Sequence, residues 1–114
     1  MPKSSMPERN DFPAGALAML VLRVLRRNNL HGYALAQRIR QLSGDVLQVE
    51  EGSLYPALQR MLLKGWVTAS WGTSETGRRV RFYRLTASGR KQLEDQVAQH
   101  DLLMNAVQTV LRTA

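Results

Sequence analysis

The stretch EEGSLYPALQRMLLKG, residues 50–65, determines how the rest of the chain is interpreted. Its apolar residues recur with the period of an α-helix and fall on one side of it. These residues are Leu54, Leu58, Met61 and Leu62. The pattern predicts a short amphipathic helix in which Ser53 caps the N-terminus, Pro56 lies in the first turn and Gly65 ends the helix.

The other side of this predicted helix carries Pro56, Gln59, Arg60 and Leu63, flanked by Ser53 and Lys64. A helix with one packed face and one face of short polar and cationic side chains suits the major groove of DNA. An ordinary surface helix has the same pattern, so this stretch alone does not separate the two interpretations. Leu63 is the exception on this side, because it is a large apolar residue among polar and cationic ones.

A first helix is predicted upstream. Residues 1–10 lack periodicity and are expected to form a disordered tail. Asp11 is then expected to cap the helix, with Pro13 in its first turn, and the helix should stop at Asn28. Its inward stripe is expected to consist of Leu17, Leu20, Val21, Val24 and Leu25.

A second helix is expected to begin near His31 and to run to Ser43. A histidine beside a helix start is more often structural than a ligand. The inward positions are Leu35, Ala36, Ile39 and Leu42. A link follows, with a brief extended segment at residues 46–49.

Beyond residue 65 the apolar period changes to two, which indicates β-strands. The segments WVTASW (66–71) and VRFYRL (80–85) alternate, and the turn-rich GTSETG (72–77) joins them. This predicts an antiparallel hairpin. Its tip carries three cations: Arg78, Arg79 and Arg81.

The predicted order is therefore helix, helix, short strand, helix, strand, strand and long helix. This order predicts an α+β fold, mainly α: a winged helix-turn-helix with a two-stranded wing and a long C-terminal dimerisation helix. Stretch 50–65 takes the place of the recognition helix. The expected divisions are a tail at 1–10, a winged-helix DNA-binding domain at 11–86 and the dimerisation helix at 87–114.

The positive charge of the chain is concentrated in one region. The formal net charge is +7, and residues 60–91 contain eight basic residues against one acidic residue, Glu75. This region alone therefore carries the whole excess. Such asymmetry indicates a polyanionic partner, and nucleic acid is favoured over an anionic membrane because no basic amphipathic helix carries the charge.

Composition excludes several other classes of protein. The chain has no cysteine, so it can form neither a disulfide framework nor a thiolate zinc site. Its two histidines are isolated, and we expect no metal site and no cofactor. No catalytic triad, phosphate-binding loop or paired carboxylates point to an enzyme. No stretch approaches a membrane span, and a cytoplasmic location fits.

Three segments together identify a family. HGYALAQRI (31–39), EEGSLYPALQRMLLKGWV (50–67) and RRVRFYRLTASGR (78–90) resemble the signature segments of PadR-type transcriptional regulators. The similarity covers about residues 16–93. The resemblance implies a homodimeric winged-helix repressor of the shorter, single C-terminal helix subgroup, and some members respond to phenolic acids or hydrophobic aromatic drugs. The wing lacks the proline often found before its basic residues, which leaves the loop conformation open.

The resemblance also implies which residues contact double-stranded DNA: Tyr33, Ser53, Tyr55, Gln59, Arg60, Lys64, Arg78, Arg79 and Arg81. Tyr33, at the start of the second helix, matches a position that can touch the phosphate backbone. A core tyrosine closing the helix packing is an equal alternative for Tyr33. A small aromatic effector would use Trp66 and Trp71, although hairpin core is the commoner role for such tryptophans.

The last helix is too long for a domain of this size to cover. Thr86 is expected to cap it, and 25 residues at about 1.5 Å each span nearly 40 Å. A stripe at helical spacing contains Leu93, Val97, His100, Met104, Val107 and Leu111. We expect this stripe to pack against a second copy of the chain.

One alternative remains from a different class. A winged helix can serve as a protein–protein interaction module without binding an operator, because the fold alone does not determine function. Cations at both DNA-facing positions favour DNA. The operator, the regulated genes and the direction of regulation do not follow from the sequence.

Overall fold

The computed structural model describes residues 15–114. The expected tail, and the capping roles expected of Asp11 and Pro13, lie outside the described residues. The elements are α1 (Ala16–Leu25), β1 (Leu30–His31), α2 (Gly32–Leu42), α3 (Glu51–Leu63), β2 (Val67–Thr73), β3 (Arg79–Leu85) and α4 (Ala87–Thr113). The strands form one antiparallel sheet in the order β1-β3-β2. The predicted fold class, a winged helix-turn-helix with a long C-terminal helix, is confirmed.

α3 begins earlier than the sequence pattern predicts. Glu50 occupies the N-cap position, and its carbonyl oxygen accepts hydrogen bonds from the N–H groups of Ser53 and Leu54. The prediction that Ser53 caps the helix is therefore wrong, and Ser53 is its third residue. Pro56 consequently falls in the second turn rather than the first. Its missing N–H leaves the exposed carbonyl of Gly52 without a helical donor, a role that water can fill there.

The end of α3 is as predicted. Gly65 has a φ of 76°, the left-handed conformation that glycine adopts without steric cost. The Gly65 N–H donates to the carbonyl of Leu62 at 3.1 Å, and the Trp66 N–H donates to that of Met61 at 3.0 Å. This pair of bonds is the Schellman motif, which satisfies the last carbonyls and turns the chain into β2.

α1 packs into the core with a side slightly rotated from the predicted stripe. Val21 and Leu25 are buried as predicted, but Leu22, which the stripe leaves out, is fully buried too. Leu17 and Leu20 are only partly buried. Helical periodicity finds the apolar side, but the direction of the core decides which edge of it is covered.

α2 confirms two of its inward positions and contradicts one. Leu35 and Ile39 are buried, whereas Leu42 is 70 % exposed. Leu42 is the last residue of α2, and the chain turns away directly after it through Gly44, which has a φ of 63°. The core does not reach this far along the helix, so the prediction that Leu42 faces inward is wrong.

The short strand lies before α2 and not after it. β1 pairs with β3 through Leu30 opposite Tyr83 and His31 opposite Phe82. Residues 46–49, the segment predicted to be extended, are irregular chain without strand pairing among the described residues. A two-residue strand has no detectable period, and this one exists only because β3 returns beside it.

β2 and β3 are paired along their full lengths, and directly opposed residues lie on the same face of the hairpin. The face toward the helices buries Val67, Tyr83 and Leu85. On the other face Phe82 covers Gly72, where a Cβ atom would lie 2.7 Å from the aromatic ring. This glycine is needed for close approach rather than for an unusual backbone angle.

Thr86 joins the start of α4 to the end of α3. Its hydroxyl oxygen accepts the N–H of Gly89 at 2.9 Å, which confirms the predicted cap, and its hydroxyl donates to the carbonyl of Gly65 at 2.7 Å. Gly89 is buried at this junction, and a Cβ atom there would collide with the carbonyl oxygen of Trp66.

Only the first part of α4 belongs to the core of the chain. Leu93 is 3 % exposed and Val97 is partly buried, whereas every residue from 98 to 114 is exposed. The sequence pattern predicts that Leu93 packs against a second copy of the chain. Its burial in the core makes it unavailable for that contact. The buried core consists of Val21, Leu22, Leu25, Leu35, Ile39, Leu54, Ala57, Leu58, Met61, Val67, Tyr83, Leu85 and Leu93.

Within residues 15–114, none of the helices combines the length and apolar character needed to cross a membrane. The same residues contain no cluster of three acidic or histidine side chains placed to hold a metal ion.

Gly89→Ala should destabilise the protein by about 1–3 kcal/mol, because the added methyl group forces α4 away from the backbone of Trp66. Alanine normally stabilises a helix relative to glycine, so the sign of the effect is diagnostic. Urea unfolding followed by circular dichroism measures it. Ser88→Ala, at the exposed neighbouring position, is the control and should change little. A Gly89→Ala protein as stable as wild type would show that this contact does not constrain α4.

Candidate nucleic-acid interface

The exposed side of α3 lies opposite the residues that α3 buries. Leu54, Ala57, Leu58 and Met61 are buried, and the opposite side presents Gly52, Ser53, Pro56, Gln59, Arg60, Leu63 and Lys64. Leu63, at 83 % exposure, lies near the centre of this side. Its outward position is therefore real and not an error of periodicity. No described contact explains it.

Tyr55 lies on the edge of α3 and packs against the start of α2. A Cβ atom on Gly32 would be 2.6 Å from the Tyr55 hydroxyl and 2.8 Å from its ring, so only glycine leaves room for this tyrosine. The residue as a whole is 44 % exposed, but its hydroxyl end is the part that meets Gly32. Desolvation raises the pKa of Tyr55, and the charges of Glu51 and Tyr83 add to the increase. Tyr55 therefore stays protonated at neutral pH and can donate a hydrogen bond.

Tyr33 is a surface residue. It is 59 % exposed, and its hydroxyl accepts a hydrogen bond from the side-chain amide of Gln37 at 2.8 Å. The alternative of a core tyrosine is therefore wrong. Because the oxygen accepts from Gln37, the hydroxyl hydrogen remains able to donate to a group outside the protein.

His31 is a structural residue in this region, which the sequence pattern also favours. Its Nδ1 faces the N–H of Ala34 at 3.4 Å and caps α2. Its ring meets that of Phe82 edge-on, with centroids 5.5 Å apart. His31 thus connects the start of α2 to the outer face of the wing.

The turn at the tip of the wing is held by Ser74. The Ser74 N–H donates to the carbonyl of Arg78 at 2.8 Å, and the Ser74 hydroxyl accepts the Arg78 N–H at 3.2 Å. Gly77 supplies the left-handed residue, with a φ of 81°. The wing therefore closes without a proline, and it presents Arg78 and Arg79 at its end.

An open cleft of about 810 Å³ lies between the start of α2, the exposed edge of α3 and the wing. Six of the predicted DNA-contacting residues line it: Tyr33, Tyr55, Gln59, Arg78, Arg79 and Arg81. The other three, Ser53, Arg60 and Lys64, do not line it and lie elsewhere on the exposed side of α3. The cleft is also lined by Glu51, Ser74, Glu75, Thr76 and Tyr83, which sequence reasoning did not select. The sequence offers only one indication that these residues line the cleft, which is that they lie near the wing arginines or near Tyr55 along the chain.

The two tryptophans differ in their environments. Trp66 is partly buried against the core, and the Lys64 ammonium lies 5.1 Å from its ring centroid. Trp71 is 59 % exposed, so the prediction of hairpin core fails for this residue. Its ring instead lies beside the guanidinium groups of Arg79 and Arg81.

A second groove of about 710 Å³ lies between α1 and α4, and two of the residues predicted to form the dimer contact, His100 and Met104, line it. Its apolar lining includes Met19, Leu102, Leu103 and Met104. Of the other four predicted positions, Val107 and Leu111 are exposed farther along α4, whereas Leu93 and Val97 pack on the core.

Comparison with known proteins identifies the family. The sequence profile described as "Transcriptional regulator PadR-like family" matches residues 21–95. The chain belongs to the PadR-like family. PadR-like proteins are DNA-binding transcriptional regulators, and the matched residues span α3, the wing and the start of α4.

Three similar proteins support this assignment. The chain is 33 % identical to the transcriptional regulator Rv3488 of Mycobacterium tuberculosis, over 81 % of this chain and 83 % of that protein. It is 25 % identical to the negative transcriptional regulator PadR of Bacillus subtilis over 80 % of this chain, and it spans only half the length of that protein. A PadR family regulator from Eggerthella lenta has a similar solved structure, with a TM-score of 0.76 and 30 % identity, covering 88 % of this chain and 85 % of that one.

Gly32→Ala should push the Tyr55 ring away from α2 and expose its hydroxyl. Since burial is the main cause of the raised pKa, the pKa of Tyr55 should fall toward its ordinary value. An NMR titration of ring-labelled tyrosine measures this. Gly52→Ala, where nothing lies within 4 Å of the new methyl group, is the control. An unchanged Tyr55 titration in Gly32→Ala would contradict the proposed packing.

Proposed function

We propose that this PadR-like regulator is a homodimeric repressor that binds a palindromic operator in double-stranded DNA, in the cytoplasm where that DNA lies. The observation that carries the proposal is the open cleft in which one edge of α3 and the arginines of the wing face the same space. Among the described residues, none of the wing arginines forms a salt bridge. Unneutralised cations beside an exposed helix are what a DNA duplex requires of its partner.

In this proposal the side chains of α3 contact base edges. Gln59 would bond adenine through the N6 and N7 positions of the base, and Arg60 would bond guanine through O6 and N7. Ser53 lies near the N-terminus of the helix, the end that usually enters deepest into the major groove. Tyr55, protonated and fixed by Gly32, is a donor at the edge of this set.

The surrounding groups contact the sugar-phosphate backbone and fix the position of the helix. These groups are Tyr33, Lys64, Arg78, Arg79 and Arg81. Phosphate contacts of this kind supply affinity without selecting a sequence. In this proposal the wing therefore provides affinity for DNA, and α3 provides the preference for particular bases.

The dimer is proposed from the exposed apolar surface of α4. The domain boundary that we propose at residue 86 divides the winged helix from this dimerisation helix. Leu102, Leu103, Met104, Val107, Val110 and Leu111 are 40–73 % exposed in the protomer. A patch of that kind on a single helix is unusual for a monomer. A two-fold dimer would bring two copies of α3 to sites about 34 Å apart, the length of one DNA turn.

Repression is the direction that the comparison supports. The Bacillus subtilis relative is named a negative transcriptional regulator. A dimer seated on an operator would exclude other proteins from the same stretch of DNA. An aromatic effector would fit the groove between α1 and α4 better than the tryptophans, because both indole rings lie beside the protein's own cations.

The proposal is tested with a duplex selected by the wild-type protein from a random pool. Gln59→Ala and Arg60→Ala should each relax the preference at one half-site position, by about 1–3 kcal/mol of discrimination against the wrong base. Sequencing of the pools that each variant selects measures this. Arg84→Ala removes a cation from an exposed position outside the cleft and is the charge-matched control. Identical selected sequences for all the proteins would show that α3 does not choose the site. Failure of wild type to select any duplex would favour a protein–protein module.

Dimerisation is tested by sedimentation at micromolar concentration. Val107→Asp places a charge in the exposed apolar stripe and should shift the protein to monomer and weaken operator binding at least tenfold. Asn105→Asp adds the same charge on the opposite side of α4 and should leave the dimer intact. A monomeric wild-type protein would overturn the proposed assembly.

A further inference from the structure

Trp71 is an exposed aromatic residue beside two cations of the wing. Its indole lies 4.7 Å from the guanidinium carbon of Arg79 and 5.7 Å from that of Arg81, measured to the ring centroid. Both distances are within the range of cation–π attraction. The side chain is 59 % exposed, so it contributes little to the core. A large apolar ring at such a place calls for another explanation.

The strand register brings these three side chains together. Trp71 of β2 is directly opposite Arg81 of β3, and Arg79 lies two residues before Arg81 on β3. All three therefore lie on the hairpin face that buries Tyr83 and Leu85 nearer the helices. This face extends past the edge of the core, and beyond that edge Trp71 is the aromatic surface against which the arginines lie.

The indole of Trp71 orders two guanidinium groups of like charge, which repel each other. Arg79 and Arg81 are two positions apart on one strand face, which separates their Cα atoms by roughly 7 Å. Neither forms a salt bridge within residues 15–114. The Nε–H of Arg81 is buried and has no hydrogen-bond acceptor among the same residues. The indole face attracts both groups through its quadrupole without cancelling their charge.

We propose that Trp71 is a positioning residue for DNA binding: its indole holds the guanidinium groups of Arg79 and Arg81 toward the cleft, where they meet the phosphate backbone. The inference rests on the proposed function, since it assigns the orientation of wing arginines that contact DNA. It differs from the role of an effector site, because the ring partners are the protein's own side chains. It also differs from stacking on a base, because the arginines already lie beside the ring.

The contact itself is tested in the free protein. NMR of the arginine side chains should show the resonances of Arg79 and Arg81 displaced by the ring current of Trp71. The displacement should disappear in Trp71→Leu and persist in Trp66→Phe, which leaves this ring in place. Undisplaced wild-type arginine resonances would overturn the proposal without any reference to DNA.

The consequence is tested with the duplex that the wild-type protein selects. Trp71→Ala should weaken binding about tenfold for the dimer, since each lost cation–π contact is small and four of them are lost. The slope of log K against log salt should stay near the wild-type value because all the cations remain. Trp71→Phe should recover much of the affinity. The double variant Arg79→Ala, Arg81→Ala should instead lower the slope by about 3–4 units, at roughly 0.9 per lost phosphate contact.

A double-mutant cycle separates positioning from general support of the hairpin. Trp71→Ala should have almost no further effect in the background that lacks both arginines. An equal loss in both backgrounds would show that the ring acts otherwise, on the hairpin or directly on DNA, and would overturn the inference. Wild-type affinity for Trp71→Ala would overturn it as well. If the arginine double variant keeps the wild-type salt slope, the proposed role of the wing itself fails, and this inference fails with it.

Discussion

The burial of one side of α3 is the constraint on which the interface depends. Leu54 and Leu58 are completely buried, and Met61 is nearly so, among residues of α1, α2 and the hairpin. Truncating one such residue to alanine typically costs about 2–5 kcal/mol, a large fraction of the stability of a domain of this size. α3 therefore cannot rotate about its axis, and the side that carries Gln59 and Arg60 must face solvent. The orientation of the polar side follows from the apolar side alone.

The wing is related to α3 through a small number of close contacts. Tyr55 reaches from α3 to Gly32 at the start of α2. His31, the next residue toward the N-terminus, pairs in β1 with Phe82 and meets its ring edge-on. At the other end of the hairpin Thr86 bonds the carbonyl of Gly65, where α3 has just ended. The helix and the wing are thus connected near the middle of β3 and at the base of the hairpin, and the cleft between them has a defined shape.

The sequence pattern was sufficient for features that depend on neighbours along the chain. The stop at Gly65, the cap at Thr86 and the alternation of the hairpin are local, and all three are confirmed. The family assignment was also within reach, because it depends on spaced motifs. Two features that the sequence pattern predicts wrongly, the position of the short strand and the burial of Leu42, depend on residues that are distant along the chain. β1 requires β3 as its partner, and the exposure of Leu42 reflects where the core ends.

The start of α3 shows a different kind of error. A serine followed by an apolar periodic run favours a cap at Ser53, but the carbonyl of Glu50 already accepts the first helical bonds. The helix therefore begins where its backbone hydrogen bonds begin, after Glu50, and not at the residue whose side chain would make the better cap. In α4 the same apolar stripe serves two environments, since Leu93 enters the protomer's core and Val107 lies far outside it. Periodicity does not reveal where one environment gives way to the other. The cation–π contacts of Trp71 were likewise beyond reach, because cross-strand register decides them.

A surface that binds a polyanion has to solve two conflicting problems. Long cationic side chains lose conformational entropy when they are ordered, and ordering them before binding reduces what binding must supply. A carboxylate partner would order them, but it would also neutralise the charge that attracts the phosphates. An aromatic ring orders a cation and leaves its charge intact.

This chain places a ring beside Lys64 as well as beside Arg79 and Arg81. The salt bridge between Arg40 and Asp45 lies instead at the end of α2, away from the residues that line the cleft. Among the described residues, Arg79 and Arg81 thus lie beside an aromatic ring and form no salt bridge, although Glu51 and Glu75 also line the cleft.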